Sequence, residues 1–352
     1  MSLRRNVVGR ERWTAIVAAL VLVLLGIGST MVHLPFVIWS AGGLTSVYGG
    51  EAGQPGLSLT GAAQYGVSSK LLVANVTVTD QSVGLGQVLR AYSHPNQAVM
   101  PQVVSSPVGL PIPQVSLGLS TAEAQRAAEA AALKAVGLPV ERAPRIVSVM
   151  TSGPSYGLLL PDDVIEMVGS TTVTTVAEFN QAMASYSVAD TVQLTVTRDG
   201  QRLDSQIDVV AQATYNQQQL PSLGVVLTDS FLLGDVDVRG APSDIGAGLI
   251  LAIGVYDLLT PGSLLGDLSV AGAGIVDANG VVSGVAGISE RMEAARAGGV
   301  DVYLLPRSSC PNVESSQPGM MVVAVGTLSD AIQAIATLAV GGPASLVPTC
   351  PA

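Results

Sequence analysis

Short apolar runs alternate with longer helix-like segments through the C-terminal third of the chain. The runs of strand length are 225–228, 236–238, 268–275, 301–305 and 321–325, and the segments of helical length are 246–256, 288–297 and 328–339. Strands separated by helices usually return to one sheet, so the pattern predicts an α/β domain. We place this domain at 220–340, followed by a short tail at 341–352.

Two further regions precede this domain. Residues 145–213 contain strand-like runs, a helix over 175–183 and a hairpin that turns at Asp199-Gly200, a strong two-residue turn signal. Residues 41–144 form a predicted strand and loop region that ends in an Ala-rich helix over 121–136, with a capping box at its start. The overall class is α/β (α+β).

Four arginines precede the longest apolar run of the chain. They are Arg4, Arg5, Arg10 and Arg12, and the run extends from Trp13 to about Trp39. A helix needs roughly 20 apolar residues to cross a bilayer, and flanking basic residues favour the cytoplasmic side. We therefore predict a cytoplasmic stub and a single transmembrane anchor in residues 1–40, with the bulk of the chain outside the cytoplasm. A cleaved signal peptide is the alternative.

Charge and motif content exclude several functions. The net charge is −10, and outside the N-terminus no basic cluster could follow a phosphate backbone, which argues against nucleic-acid binding. No phosphate-binding loop with a lysine is present, so no ATP is expected, and no Cys/His spacing indicates a metal or another cofactor. Cys310 and Cys350 are the only cysteines. Outside the cytoplasm they would form a disulfide, with two unpaired thiols as the alternative.

The stretch Gly157–Ile165 gives the second region its resemblance. It is similar to the "G-x-L-x-x-G-D-x-I" segment of bacterial PDZ domains, with Asp162 where glycine is usual. The resemblance implies that extended peptides or protein tails bind as an added strand at a sheet edge. The groove is expected between that edge and the helix that carries Phe179. The expected edge residues are Ile146, Val147, Ser148 and Val149. The alternative is a spacer that binds nothing.

The C-terminal domain resembles the proteolytic domain of Lon. The stretches that carry the resemblance are Gly246-Ala247-Gly248-Leu249, Tyr256–Gly262, Val270–Gly280, Gly287–Gly299, Leu304-Leu305-Pro306 and Cys310. With the anchor and the PDZ-like region, nearly the whole chain is similar to membrane-anchored PDZ-plus-Lon-like proteins of Gram-positive bacteria. Lon domains form rings, so the resemblance implies homo- or hetero-oligomers with Lon-like relatives.

The two reacting positions of the Lon family are changed in this chain. The family uses the serine of "G-P-S-A-G-L" as nucleophile and the lysine of "G-G-I-x-x-K" as base. Gly246 stands at the serine position and Arg291 at the lysine position. Glycine has no nucleophile, and a guanidinium stays protonated. No lysine or histidine follows Lys134 at all, so the resemblance implies a lost Ser-Lys dyad.

Ser243 is the alternative nucleophile, in a shifted "G-x-P-S" stretch. The carboxylates near it in sequence are Asp244, Asp257 and Asp267, and an ordinary aspartate is a weak base for a hydroxyl. Ser243 or Asp244 is more simply explained as a helix cap.

Three functions remain open from the sequence. The first is a catalytically degenerate pseudopeptidase that serves as a peptide- or protein-binding scaffold, or as partner of an active protease. The second is an active, ATP-independent serine endopeptidase that processes envelope or secreted proteins. The third is a purely structural envelope protein.

Overall fold

Two separate sheets organise the chain in the computed structural model. The structure describes residues 13–21, 33–49, 56–66, 70–79, 83–94, 97–101, 120–213, 219–312 and 319–350. The strands are β1 His33–Leu34, β2 Phe36–Ser46, β3 Ser58–Thr60, β4 Lys70–Val78, β5 Val83–Gly84, β6 Gln97–Pro101, β7 Glu141–Val149, β8 Val164–Val168, β9 Thr171–Thr172, β10 Thr191–Arg198, β11 Gln201–Asp208, β12 Val210–Ala213, β13 Gln219–Ser222, β14 Val225–Leu232, β15 Asp237–Arg239, β16 Ser269–Gly272, β17 Ile275–Val276, β18 Val282–Ser283, β19 Val302–Pro306 and β20 Met321–Val325. The helices are α1 at 13–21, α2 Leu85–Tyr92, α3 Thr121–Ala135, α4 Val176–Met183, α5 Gly248–Leu259, α6 Ile288–Ala297 and α7 Leu328–Ala339. Short 3₁₀ turns are η1 Ile245–Ala247, η2 Arg307–Asn312 and η3 Ala344–Leu346.

The first sheet is mixed and has the strand order β20-β19-β16-β4-β2-β6. Strands β20, β19, β16 and β4 are parallel, and β2 and β6 add on antiparallel. Its side chains alternate between two cores. Val302 and Leu304 face the core that contains α5, whereas Tyr303 and Leu305 face the core that contains α6. The sheet is therefore buried on both faces, as expected for parallel strands.

This arrangement corrects the predicted domain boundaries. The predicted regions 41–144 and 220–340 are separate in sequence, but β4 of the first pairs with β16 of the second. Strand β2, which begins in the predicted anchor region, and β6 follow β4 in the same sheet. Helix α3 also packs on α5. The α/β domain is therefore built from two distant parts of the chain, with the second sheet inserted between them. Local periodicity cannot reveal such long-range strand pairing.

The end of the predicted anchor is also corrected. The apolar residues Val37, Ile38 and Trp39 are buried in strand β2, paired with β4 and β6. A short apolar run can be a buried strand as easily as a piece of a helix. Among the described residues, no helix has the length and apolar character that crossing a bilayer requires. Of the predicted anchor, residues 13–21 are helical and residues 22–32 lie outside the described part.

The second sheet is antiparallel, with the order β11-β10-β8-β7-β14 and β9 beside β8. Helix α4 closes its core through Phe179 and Met183, which are buried against Ile165 and Leu194. The β10–β11 hairpin turns at Asp199-Gly200, where both residues have positive φ. That conformation is the one that a two-residue type I′ turn requires.

The C-terminal tail is tied to the α/β domain. Cys310 in η2 forms a disulfide with Cys350, 40 residues later. The backbone N–H of Ala324 in β20 donates a hydrogen bond to the Pro348 carbonyl at 2.8 Å. The predicted tail 341–352 is thus held, over its described residues, against the outer strand of the mixed sheet.

Candidate functional site

Gly246 and Arg291, the two positions that the Lon resemblance singled out, are in contact. A Cβ placed on Gly246 would lie 3.0 Å from Nη2 of Arg291 and 3.3 Å from Oδ1 of Asp244. Both positions therefore face one point at the start of α5, although 45 residues separate them in sequence. The space that a serine side chain would enter is occupied by the guanidinium.

Arg291 is buried and its guanidinium is bonded on several sides. Nη1 donates to Asp244 Oδ2 at 2.5 Å and to the Ala74 carbonyl at 2.8 Å, and Nη2 donates to Asp244 Oδ1 at 3.2 Å. Nε donates to the Ala286 carbonyl at 3.4 Å. This two-pronged ion pair joins α6 to the start of α5, so Arg291 is a structural cation here and not a base.

Asp244, rather than Ser243, is the cap. Its Oδ1 accepts a hydrogen bond from the Gly246 N–H at 2.8 Å. The Asp244 carboxylate therefore accepts hydrogen bonds from both Arg291 and the backbone of η1. Asp257 is fully buried and accepts from Tyr48 Oη at 2.7 Å and from Leu264 N–H at 3.0 Å. Both carboxylates thus have other hydrogen-bond partners, and Ser243 is exposed.

Tyr303 is a buried group at this site that the sequence did not indicate. Its side chain is fully buried, and its Oη has no hydrogen-bond partner among the described residues. Burial raises the pKa of Tyr303, an effect that the charge of Arg291 opposes and that of Asp244 reinforces. The phenol therefore stays protonated and cannot serve as a base.

A cavity of about 340 Å³ opens beside Ser243 and Asp244. Its lining comes from β2, β4 and the loop before η1, and consists of Thr45, Ser46, Val47, Gly49, Val73, Asn75, Gly240, Ala241, Pro242, Ser243 and Asp244. Asn75 Nδ2 donates to Thr45 Oγ1 at 2.8 Å, which fixes one wall. The cavity offers hydroxyl, amide and carboxylate groups but no lysine or histidine.

The predicted groove residues lie in a strand that already has neighbours in the sheet. Ile146, Val147, Ser148 and Val149 lie in β7, which pairs with β8 on one side and with β14 on the other. One side of β7 is covered by β14 along its length, and on the other side Arg145 and Ile146 are paired with β8 and the residues before it. The exposed edge belongs to β14, and among the described strands only β7 pairs with it. Phe179 lies in α4 as predicted, buried in the core beneath that edge.

The backbone of β14 presents outward hydrogen-bonding groups. The backbone N–H of Ile146 donates to the Asp163 carbonyl, and the Ile146 carbonyl accepts from the Asp162 N–H. Both backbone groups of Ile146 therefore point away from β14. Leu227 stands opposite Ile146 and therefore turns its own N–H and C=O toward the outer edge. Along an antiparallel strand, every second residue points its backbone groups to the same side. The N–H and C=O of Asp229, which stands opposite Pro144, therefore face the same outer edge as those of Leu227.

Val225 extends this outer edge at the start of β14. Met150 donates its N–H to the Gly224 carbonyl at 2.8 Å, which makes the Val225–Val149 pair a non-hydrogen-bonded one. The N–H and C=O of Val225 then face outward, in line with those of Leu227. Gly224 has a φ of +72°, in the left-handed region that favours glycine.

Helix α4 forms the other wall beside this edge. Its first N–H, that of Val176, donates to Asp229 Oδ1 at 2.6 Å. Val225 and Leu227 pack with Ala182 and Tyr186 around the core of this sheet. On the opposite face, Thr228 hydrogen-bonds Glu123 of α3. The edge therefore lies between α4 and solvent, and α3 does not fill the α4 side.

Comparison with known protein families identifies this part of the chain. Residues 116–209 match the PDZ domain family. A PDZ domain therefore lies in this region, and binding of peptide tails is the general role of such domains. The match ends before β14, which was not in the predicted region 145–213 either. The sequence feature that could have indicated β14 is Leu223-Gly224-Val225, a glycine between apolar residues just before a strand-like run.

Three solved structures of bacterial domains are similar to part of this chain. The PDZ domain of the SdrC-like protein from Listeria monocytogenes is 21% identical, over 24% of this chain and 86% of that one, with a TM-score of 0.22. That of the SdrC-like protein from Listeria innocua is 20% identical over 24% and 92%, with a TM-score of 0.22. The second domain of a Listeria protein in solution is 23% identical over 25% and 84%, with a TM-score of 0.23. The search of curated proteins gave no match.

Proposed function

We propose that this protein is a membrane-anchored, extracytoplasmic scaffold that binds peptide tails through its PDZ domain and does not cleave them. The observation that carries the proposal is the outer edge of β14, which aligns the backbone groups of Val225, Leu227 and Asp229 beside α4. A peptide added there would complete the antiparallel sheet.

In this proposal the α/β domain is a Lon-like pseudopeptidase. Its support is the resemblance together with the contact between Gly246 and Arg291, the two positions at which the family carries its serine and lysine. The ion pair with Asp244 keeps the guanidinium where a neutral amine would be needed. The domain would then serve as a platform for envelope proteins or for an active Lon-like relative, in a homo- or hetero-oligomer.

The proposed location is the cell membrane, with the N-terminus in the cytoplasm. Its support is the sequence, in which the arginines before Trp13 are followed by the apolar run. Because β1 begins at His33, the anchor would end before that residue. A single helix would then hold the folded part on the outer side.

A library of random peptides with free carboxyl termini tests the groove. The full chain in detergent should enrich a subset of peptides, which are recovered intact. Asp229→Pro removes the outward N–H of residue 229, whereas the matched variant Asp229→Ala removes only the carboxylate. We expect Asp229→Pro to weaken binding of the enriched peptides at least tenfold, about 1.4 kcal/mol, relative to Asp229→Ala. Equal binding by the two variants would place the site elsewhere, and cleaved peptides would contradict the scaffold.

One observation favours a second function. Ser243 is exposed at the rim of the cavity of about 340 Å³, where a peptide could reach it. An active serine endopeptidase is therefore the alternative proposal. It requires a base that the described side chains around Ser243 do not supply.

A further inference from the structure

Helix α2 exposes an apolar stripe that nothing in the described structure covers. Leu85, Leu89 and Tyr92 recur at i, i+4 and i+7, and their exposed fractions are 38%, 61% and 75%. At 100° per residue these positions share one narrow face of the helix. The neighbouring face packs Val88 and Ala91 into a small core with Ile38 and Val83. The stripe is thus a second apolar face, beyond the one that the fold uses.

The stripe lies where the chain leaves the predicted anchor. Strand β1 is the next described element after α1, and it pairs with β5, with His33 opposite Gly84 and Leu34 opposite Val83. Helix α2 begins at the next residue, Leu85. Adjacent strands are about 5 Å apart, so the stripe starts within a few residues' reach of the end of the anchor.

We propose that α2 lies in the interface of the lipid bilayer that holds the anchor, with Leu85, Leu89 and Tyr92 inserted among the lipid headgroups. This inference rests on the proposed anchoring. A short helix with leucine on one face and an aromatic residue at its end is suited to the interface, where tyrosine places its ring in the apolar layer and its hydroxyl in water.

The charge of α2 favours a lipid surface over a second copy of the chain. The whole chain carries a net charge of −10, but α2 contains no acidic residue and has Arg90 in its last turn. Two copies that meet at this stripe would each bring a net negative chain, whereas an anionic membrane attracts the local positive charge. Docked in this way, α2 would fix the orientation of the folded domains relative to the membrane.

Site-specific fluorescence in vesicles tests the proposal. Both native cysteines are in the disulfide, so a single new cysteine can carry an environment-sensitive label. The full chain with Leu89→Cys is reconstituted in vesicles of phosphatidylcholine and phosphatidylglycerol that contain a spin-labelled quenching lipid. Gln87→Cys, nearly opposite on the same helix, and Val340→Cys, on an exposed residue at the end of α7, are the controls.

The expected result is a blue-shifted emission at position 89 that the quenching lipid removes, with water-like, unquenched emission at positions 87 and 340. Water-like emission at 89 in a protein that floats with the vesicles overturns the docking of α2 and leaves the anchor in place. A blue shift without quenching also overturns it and indicates a second copy on the stripe. Failure of the protein to float with the vesicles contradicts the anchor and the docking together.

Discussion

At the scale of single residues, Asp162 and the contact between Gly246 and Arg291 show how the structure accommodates residues that differ from the patterns the sequence resembles. Asp162 stands where bacterial PDZ domains have glycine, and its φ is +75°. The residue remains in this strained conformation while its carboxylate pairs with the buried Arg145. In the α/β domain Gly246 and Arg291 fit together, because the guanidinium occupies the space beside a residue that has no side chain.

Two substitutions of Asp162 separate the backbone from the ion pair. Asp162→Gly and Asp162→Ala both lose the contact with Arg145, but only glycine adopts a positive φ without strain. We expect the alanine variant to be less stable than the glycine variant by about 1 kcal/mol. Hydrogen exchange of the amides in β7 and β8 measures this difference. Equal protection in the two variants would show that the conformation of residue 162 costs nothing.

At the scale of elements, the sequence predicts helices and strands correctly where their bounds depend on residues close together in the chain. The predicted bounds of β20, α6 and α7 agree with the structure, and Ser120 and Glu123 form the capping box of α3. The sequence could not reveal pairing between distant segments. It therefore missed the strand role of residues 36–46, the edge position of β14 and helix α2 with its exposed stripe.

Helix α3 carries a buried carboxylate that should make stability depend on pH. Burial raises the pKa of Glu129 to about 7, which the nearby Arg126 opposes and Asp237 reinforces. The folded chain therefore holds a proton that the unfolded chain releases near pH 4.5. Stability should fall as pH rises from 5 to 8, by on the order of 3 kcal/mol from this group.

Urea unfolding of the full chain at pH 5 and pH 8 measures this effect. In Glu129→Gln the side chain is neutral at both pH values, so the fall in stability between them should be smaller by that amount. A variant with the same pH dependence as the natural chain would mean that Glu129 does not titrate in this range.

At the scale of the whole molecule, the α/β domain encloses the PDZ domain within its own sequence. Strand β16 lies between β19 from the C-terminal part and β4 from the N-terminal part. Helix α5 is buried almost all round, and its contacts include α3 and Leu57. Neither part holds a complete core without the other.

Fragments should reflect this interdependence. Residues 220–352 expressed alone should fail to fold, because β16 loses its partner β4 and α5 loses the cover of α3. The matched fragment 33–352 keeps both parts and should unfold cooperatively. Circular dichroism during urea unfolding distinguishes the two. A cooperative transition in the shorter fragment would contradict the discontinuous domain.

The most direct test of the central claim is hydrolysis of casein, an unstructured protein, by the full chain beside its Ser243→Ala variant. Folded samples of both should leave casein intact, because Gly246 offers no nucleophile and Arg291 is bound to Asp244. Cleavage by the natural chain that Ser243→Ala abolishes would contradict this expectation, and would establish a serine peptidase activity that depends on Ser243.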